Sequence, residues 1–260
     1  MTRRNANKLW LAGITVAACI TAILGALSLK YAFDRPFGYL NGGHPLWILT
    51  QVLGCLAVAA ALVYPIVALR RENYSPDYKN SPLLDFASLF AASALALDAV
   101  SGYLRYREQL QKLLAIKAGL ALLAALFFLA LFLCRGSSNP LVTFLAAMTA
   151  VWAVIESFYA YFDPDFNMSS PFRKYPPLPC IMLAFLFLYE TKVAAKRGKR
   201  IFLLIGAATG CVLSLAVGGA TVIAYLFFLN REGLPVTDGV WMIALGLYAF
   251  ARLRQQILTK

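Results

Sequence analysis

Long apolar stretches alternate with short polar or basic segments along this chain. Eight of the stretches have the length of about 18 residues or more that a helix needs to cross a hydrocarbon core of about 30 Å. They cover approximately residues 9–29, 46–69, 83–104, 113–134, 140–162, 177–195, 201–229 and 236–252. Lipid offers no hydrogen-bond partners to an exposed backbone, so each stretch is expected to be helical. The pattern predicts an all-α, polytopic membrane helix bundle of about eight transmembrane helices.

Three of the stretches depart from a plain apolar run. The sixth begins in a proline-rich segment and contains Glu190, and the eighth carries Asp238 near its start. The first follows a basic start, as a cleaved signal peptide would, but its apolar region is longer than the usual 7–15 residues of such a signal. We interpret it as a retained helix. The connecting segments are short, so residues 1–260 are predicted to form a single transmembrane domain.

The composition supports a lipid environment and narrows the function classes. Hydrophobic residues make up 61% of the chain and charged residues only 14%, against about 25% charged residues in soluble domains. The main partner is therefore predicted to be the lipid bilayer. The net charge of +12 is spread in short clusters between the apolar stretches, which is the placement that orients membrane helices rather than a nucleic-acid-binding face.

The distribution of basic residues predicts the orientation. With the N-terminus inside, the inner segments hold 15 of the 24 Lys and Arg residues and the outer segments hold 9, a bias that favours N-in and C-in. The loop after the third helix opposes it, with Arg105, Arg107, Lys112 and Lys117 counted as outer residues. The stretch Lys192–Arg200 is predicted to attract anionic lipid headgroups, although a role as an orientation signal is sufficient to explain it. Size and short loops make a bacterial plasma membrane the default location.

Small residues recur at four-residue spacing on two of the predicted helices. In lipid, helices associate through close backbone approach across small side chains. The two faces are therefore predicted to be close-contact packing seams, and they could pack against each other. The functional alternative is that they form a smooth wall along a substrate path. The seventh stretch supplies Gly206, Gly210, Ser214 and Gly218, and the first supplies Gly13, Ala17, Thr21 and Gly25.

Two acids within the predicted spans carry the functional hypothesis. Asp98 and Glu156 each lie 16 residues after the proline that opens their helix, so both are expected about 24 Å along parallel helices, in the outer half of the membrane. Gln51 falls at a comparable level and Asp238 lies near the outer end of the last helix. Ionisable groups inside a membrane are costly and usually face the bundle interior.

These four residues suggest a binding pocket. Asp98, Glu156 and Asp238, with a polar contact from Gln51, would form an outward-facing acidic pocket for a cation, a proton or an amine-bearing ligand. The alternative is that each acid pairs with an interhelical partner, such as Arg105 for Asp98. The other two intramembrane acids, Asp85 and Glu190, lie near helix ends and are expected to be solvated or paired at the boundary, Glu190 with the nearby basic loop.

No signature of catalysis or of a cofactor is present. A single histidine, His44, cannot supply H-E-x-x-H, and neither a P-loop nor G-x-G-x-x-G occurs. No two of the five cysteines share a metal-ligand spacing. We therefore predict no catalytic residue, no metal and no cofactor. Transport or binding of a small cationic or proton-coupled solute is one hypothesis, and a non-enzymatic scaffold, sensor or accessory subunit with an unidentified protein partner is the other. An intramembrane enzyme is kept only because carboxylate chemistry alone is conceivable.

Overall fold

The computed structural model describes residues 3–34, 39–68, 81–134, 139–162, 170–228 and 235–258. Within these ranges eight long helices are apolar enough to cross a membrane, which confirms the predicted all-α bundle. The helices are α1 (Arg3–Tyr31), α2 (Pro45–Ala68), α3 (Pro82–Gln109), α4 (Lys112–Leu133), α5 (Pro140–Phe162), the single-turn α6 (Pro171–Lys174), α7 (Pro177–Ala194), α8 (Arg200–Phe228) and α9 (Val236–Leu258). A short antiparallel pair of strands, β1 (Phe33–Asp34) and β2 (Tyr39–Leu40), follows α1.

Local sequence signals explain where several helices start and stop. Five of them begin at a proline, whose fixed φ suits the first helical position and whose missing N–H is not needed there. The Ser81 hydroxyl caps α3 by accepting a hydrogen bond from the Leu84 N–H at 3.2 Å. At the other end, Leu110 adopts a left-handed conformation with φ of 56°, and the chain turns at once into α4. Helices α3 and α9 extend beyond the predicted spans because their polar ends remain helical.

The helices differ in how deeply they lie in the bundle. Two thirds of the spanning residues of α8 and α9 are buried within the protein, against 17% for α2. Helix α8 packs on α9, α1, α7 and α2, while α3 packs on α4 and α9, and α5 packs on α7 and α4. The centre of the bundle is therefore α8 and α9, and α2 is a peripheral helix with most of its surface towards lipid.

Contacts between helix ends define the two ends of the bundle. Tyr64, near the end of α2, donates a hydrogen bond to Asn7 at the start of α1, and Lys30 at the end of α1 lies over the ring of Phe228 at the end of α8. Helices α1 and α8 therefore run in the same direction, with α9 antiparallel to both. We call the end at which α1 begins and α9 ends the terminal end, and the opposite end the α3–α4 end, after the turn that it holds.

The small-residue face of α8 lies against α7 and α9. A Cβ added to Gly206 would come within 3.0 Å of the Leu186 Cα on α7, and one added to Gly218 would come within 2.8 Å of the Gly239 carbonyl oxygen on α9. Gly210 faces α7 more loosely, and Ser214 is fully buried. Backbone contact of this kind leaves no room for side chains.

Helix α1 contacts α8 partly through its predicted face, but it meets a part of α8 outside the predicted α8 face. A Cβ on Gly25 would lie 3.1 Å from the Ala220 Cβ, and one on Gly219 would lie 2.8 Å from the Ala22 Cβ. Gly219 and Ala220 are not part of the four-residue pattern on α8, so the two predicted faces do not pack on each other. Thr21 is buried, and Ala17 is partly buried. Gly13 is exposed and a Cβ there would meet nothing within 4 Å, because this position of α1 turns away from the bundle; its predicted close contact is not formed.

A fully buried ion pair joins α7 to α9 near the terminal end. The Arg252 guanidinium donates from Nε to Glu190 Oε1 at 2.6 Å and from Nη2 to Oε2 at 2.9 Å, and the Tyr248 hydroxyl donates to Oε1 at 3.2 Å. Glu190 is thus paired, as expected, but its partner is Arg252, 62 positions later in the chain, and not a residue of the nearby basic loop. Asp85 lies half-buried in the first turn of α3.

The basic stretch after α7 is only partly available to lipid. Lys192, Lys196, Arg197 and Lys199 are exposed. Arg200 is 4% exposed and donates a hydrogen bond to the Gln256 carbonyl oxygen on α9. The predicted headgroup contact at Arg200 is therefore incorrect, because this side chain serves the interior of the bundle.

Candidate functional site

A buried ion pair joins α4 to α5 towards the α3–α4 end. Lys117 Nζ lies 2.9 Å from Glu156 Oε1, and each side chain is 4% exposed. The same ammonium lies 4.8 Å from the centre of the Tyr159 ring. Lys117 is five residues after the start of α4 and Glu156 six before the end of α5, which places both roughly 8–9 Å below the helix ends. The pair therefore sits below the bundle surface at this end.

Two further carboxylates complete this group. Asp98, on α3, is 3% exposed and lies within electrostatic range of Lys117 and Asp238, with Arg105 as a weaker influence. Asp238, in the first turn of α9, is 8% exposed. We call Asp98, Lys117, Glu156 and Asp238 the buried charge cluster. Four helices supply it, and the Cys180 thiol on α7 lies within electrostatic range of all four charges.

Two tryptophans lie next to the cluster on α5 and α9. Trp152 precedes Glu156 by four residues and Trp241 follows Asp238 by three, so each lies one helical turn deeper in the bundle. Their rings meet edge to face with centroids 5.0 Å apart, and both side chains are fully buried. The interior just below Glu156 and Asp238 is therefore aromatic and tightly packed.

Several polar atoms around the cluster have no hydrogen-bond partner among the described residues. Buried polar groups are nearly always bonded, and leaving one unpaired costs about 1–3 kcal/mol, so such a concentration calls for an explanation. The atoms are Asp98 Oδ2, Glu156 Oε2, Thr237 Oγ1 and the indole nitrogens of Trp152 and Trp241. The site therefore offers both acceptors and donors to a further polar species.

The charges in the cluster do not balance. Lys117 is ion-paired with Glu156, and Asp238 lies where the N–H groups of a helix start favour a negative charge. Asp98 lies in the middle of a helix, where neither an ion pair with a described residue nor a helix N-terminus stabilises its negative charge. The Lys117 ammonium is the nearest positive charge in the cluster, and all three acids interact with it. A proton or a small cation at Asp98 would relieve this excess. Among the described residues no three His, Cys, Asp or Glu side chains are arranged so that they could hold a metal ion.

The structure brings three of the four predicted binding residues into one region. Asp98, Glu156 and Asp238 lie within electrostatic range of one another. Gln51 does not join them and instead lines a separate cavity between α1, α2, α7 and α8. Neither Asp98 nor Glu156 lines that cavity. Arg105, the expected partner of Asp98, influences it less than Lys117 does.

Sequence reasoning missed Lys117. The basic-residue count placed it with the outer loop residues, but this assignment is wrong because Lys117 is buried on α4. The signal was present, because position 117 falls inside the fourth apolar stretch and an ionisable residue within a span is by default a candidate functional group.

Comparison with known proteins does not identify a family for this chain. No protein-family model, no curated protein and no solved structure matches the chain. Function therefore has to be argued from the geometry of the chain itself.

Proposed function

We propose that this integral membrane protein binds a small cation, the proton included, at Asp98, and that it is a cation- or proton-coupled transport protein. The observation that supports this most directly is the state of Asp98: its Oδ2 atom is buried without a hydrogen-bond partner among the described residues, next to an ammonium that is already paired with Glu156.

The electrostatic argument starts from the cost of burying charge. A lone carboxylate is not stable in a dry interior unless it gains a proton, a cation or strong hydrogen bonds. With three acids and one lysine, full ionisation would leave the cluster with an excess of two negative charges. A positive species that can enter and leave would balance Asp98 without disturbing the Lys117–Glu156 pair. Reversible neutralisation of this kind is the property that a coupling site needs.

The position of the cluster suits entry from one side of the membrane. Lys117, Glu156 and Asp238 all lie within the first or last two turns of their helices at the α3–α4 end, and Asp98 lies 11 residues before the end of α3. We infer that the Trp152–Trp241 contact, one turn deeper than Glu156 and Asp238, is the barrier towards the other end. A cation would thus enter from the α3–α4 end, which the basic-residue count predicts to be external. Passage to the other side requires the aromatic contact to open.

Flux measurements on reconstituted protein test this proposal. Proteoliposomes containing a pH-sensitive dye would be given a proton gradient or a gradient of Na⁺, K⁺ or methylammonium, with the membrane potential clamped. We expect a flux for at least one of these ions, and we expect Asp98→Asn to abolish it. Asp85→Asn is the matched control, since Asp85 is on the same helix but outside the cluster. Flux that is unchanged in Asp98→Asn would refute the proposal.

A scaffold or accessory subunit is the second candidate function. It is favoured by the closed Lys117–Glu156 pair and by the absence of Asp98 and Glu156 from the lining of the 470 Å³ cavity. In that case the cluster is a structural element that holds four helices together. Absence of flux for every ion, combined with a large loss of stability in Asp98→Asn, would favour this candidate over transport.

A further inference from the structure

A second site lies on the other side of the bundle from the charge cluster. A cavity of about 470 Å³ opens between α1, α2, α7 and α8, and its volume falls in the range of about 300–1,000 Å³ that is typical of small-molecule sites. At the α3–α4 end it is covered by Trp47 and Tyr175, whose rings meet edge to face with centroids 5.1 Å apart. An aromatic contact therefore borders the cavity at this end, and the remaining lining is mostly apolar.

The helix arrangement gives the cavity an opening towards lipid. Helix α2 packs on α1 and α8 and has no comparable contact with α7, so a gap separates the α2 and α7 walls. Lining residues on both walls are exposed, among them Cys55 and Ala59 on α2 and Leu178 on α7. A membrane lipid could enter sideways through this gap without crossing the protein.

Few polar side chains line the cavity. Those on α1, α2 and α8 form hydrogen bonds within the chain, with one exception. The hydroxyls of Thr21, Thr50 and Thr221 each donate to the carbonyl oxygen four residues earlier. The Gln51 side-chain amide has no hydrogen-bond partner among the described residues, and it lies about 9 Å below the start of α2. An amide at this depth is costly unless a ligand or water bonds to it.

Charge defines what the cavity can hold. Among the described residues no charged side chain lines it, and this lining favours an occupant whose body is neutral and apolar. Two exposed lysines are the sequence neighbours of lining residues at the α3–α4 end, Lys30 after Leu29 and Lys174 before Tyr175. The Lys30 ammonium also lies over the Tyr31 and Phe228 rings. The two lysines complement an anionic group at the membrane surface. Burial raises the pKa of the Tyr175 phenol, so this side chain remains a neutral hydrogen-bonding group.

We propose that this cavity binds one acyl chain of an anionic phospholipid, which enters between α2 and α7 and places its ester carbonyl at the Gln51 amide. The apolar walls hold the chain, Gln51 donates to the ester, and Lys30 and Lys174 face the headgroup. The site shares no residue with the buried charge cluster and does not depend on the proposed transport function.

Tryptophan fluorescence provides the test, with phosphatidylglycerol that carries bromine atoms on one acyl chain as the probe. Trp152 and Trp241 are fully buried elsewhere, so in a Trp10→Phe background Trp47 is the tryptophan that the probe can reach. We expect Trp47 emission to be quenched at a low mole fraction of the probe, and to saturate, because a binding site fills before the surrounding lipid is replaced. Quenching that merely follows the bulk mole fraction would overturn the proposal.

Matched variants separate the cavity from the general lipid surface. Cys55→Phe fills the cavity from an exposed lining position, whereas Cys19→Phe makes the same change at an exposed position on α1 outside it. Saturable quenching should be lost in the first variant and kept in the second, and Ala59→Phe should repeat the loss if Cys55→Phe folds poorly. Equal quenching in the position 55 and position 19 variants would contradict the site.

The ester contact has its own test. An ether-linked form of the same brominated lipid lacks the carbonyl acceptor. The wild-type protein should bind the ester form about 2- to 12-fold more tightly than the ether form, as expected for one hydrogen bond. Gln51→Leu should remove this preference and leave the affinity for the ether form unchanged. A preference that survives in Gln51→Leu would show that Gln51 does not contact the lipid.

Discussion

Lys117 on α4 and Glu156 on α5 form an ion pair with 2.9 Å between Nζ and Oε1, at a place where each side chain is only 4% exposed. Two more carboxylates lie within range of the same ammonium. The pair therefore joins two helices, and its ammonium contributes to the electrostatic field at Asp98.

Breaking this pair should be costly. Lys117→Met leaves Glu156 buried without its partner, and such changes typically cost about 3–5 kcal/mol. Glu156→Gln should also destabilise, while the Lys117→Met/Glu156→Gln double variant should recover part of the loss. The free energy of unfolding in mixed micelles, measured by titration with a denaturing detergent, checks this, with the exposed Lys112→Met as control. Strictly additive effects of the two changes would mean that the side chains are not coupled.

The Glu190–Arg252 pair gives a test at the other end of the bundle. Lysine cannot reproduce the two parallel hydrogen bonds of the Arg252 guanidinium, so Arg252→Lys should lower stability by about 1.5–3 kcal/mol. Arg254→Lys is the matched control, because Arg254 is two residues away and exposed. Equal melting temperatures of the two variants would show that the bidentate contact contributes nothing.

Three glycine-to-alanine changes test the packing of the small-residue faces. Gly218→Ala should destabilise by about 1–3 kcal/mol, since its Cβ would meet the backbone of α9. Gly210→Ala should be nearly neutral, because its Cβ would find ordinary contacts, and Gly13→Ala should be neutral or slightly stabilising at its open position. Thermal unfolding in detergent ranks the three variants. A Gly218→Ala protein as stable as the wild type would contradict the close contact.

The orientation prediction keeps its sign, with a slightly smaller bias, once buried cations are set aside. Arg200, Arg252 and Lys117 are buried and have partners inside the protein, so they should not count as loop charges. Removing the first two from the 15 inner residues and the third from the 9 outer ones leaves 13 against 8. We expect epitope tags at both termini to be accessible only from the cytoplasm, and a tag accessible from outside at either end would contradict N-in and C-in.

The fold was predictable because membrane spans depend on a signal that is strong and local. Apolar length alone locates each of the eight helices. The packing partners could not be predicted in the same way. The glycine spacing on α8 indicates a packing face, but nothing in the spacing indicates that this face lies against α7 and α9. Which side of a helix meets which neighbour depends on contacts between residues far apart in the chain.

The candidate site shows the same limit. The equal spacing of Asp98 and Glu156 from their opening prolines predicted a shared depth, and the structure places both acids in one region. Gln51 has a similar depth, yet it faces another part of the bundle, because depth does not determine the direction of a side chain around the helix. Lys117 was overlooked because its charge was assigned to a loop.

The proposed function requires Asp98 to hold an exchangeable proton or small cation. Infrared difference spectroscopy of the purified protein detects this, since a protonated carboxylic acid has a carbonyl stretch that a carboxylate lacks. With only a bulky organic cation in the buffer, we expect a protonated-carboxyl band that shrinks when a transported small cation is added. The band should be missing from Asp98→Asn but present in Asp85→Asn. If the wild-type protein lacks such a band and its spectrum is identical to that of Asp98→Asn, Asp98 holds neither a proton nor an exchangeable cation.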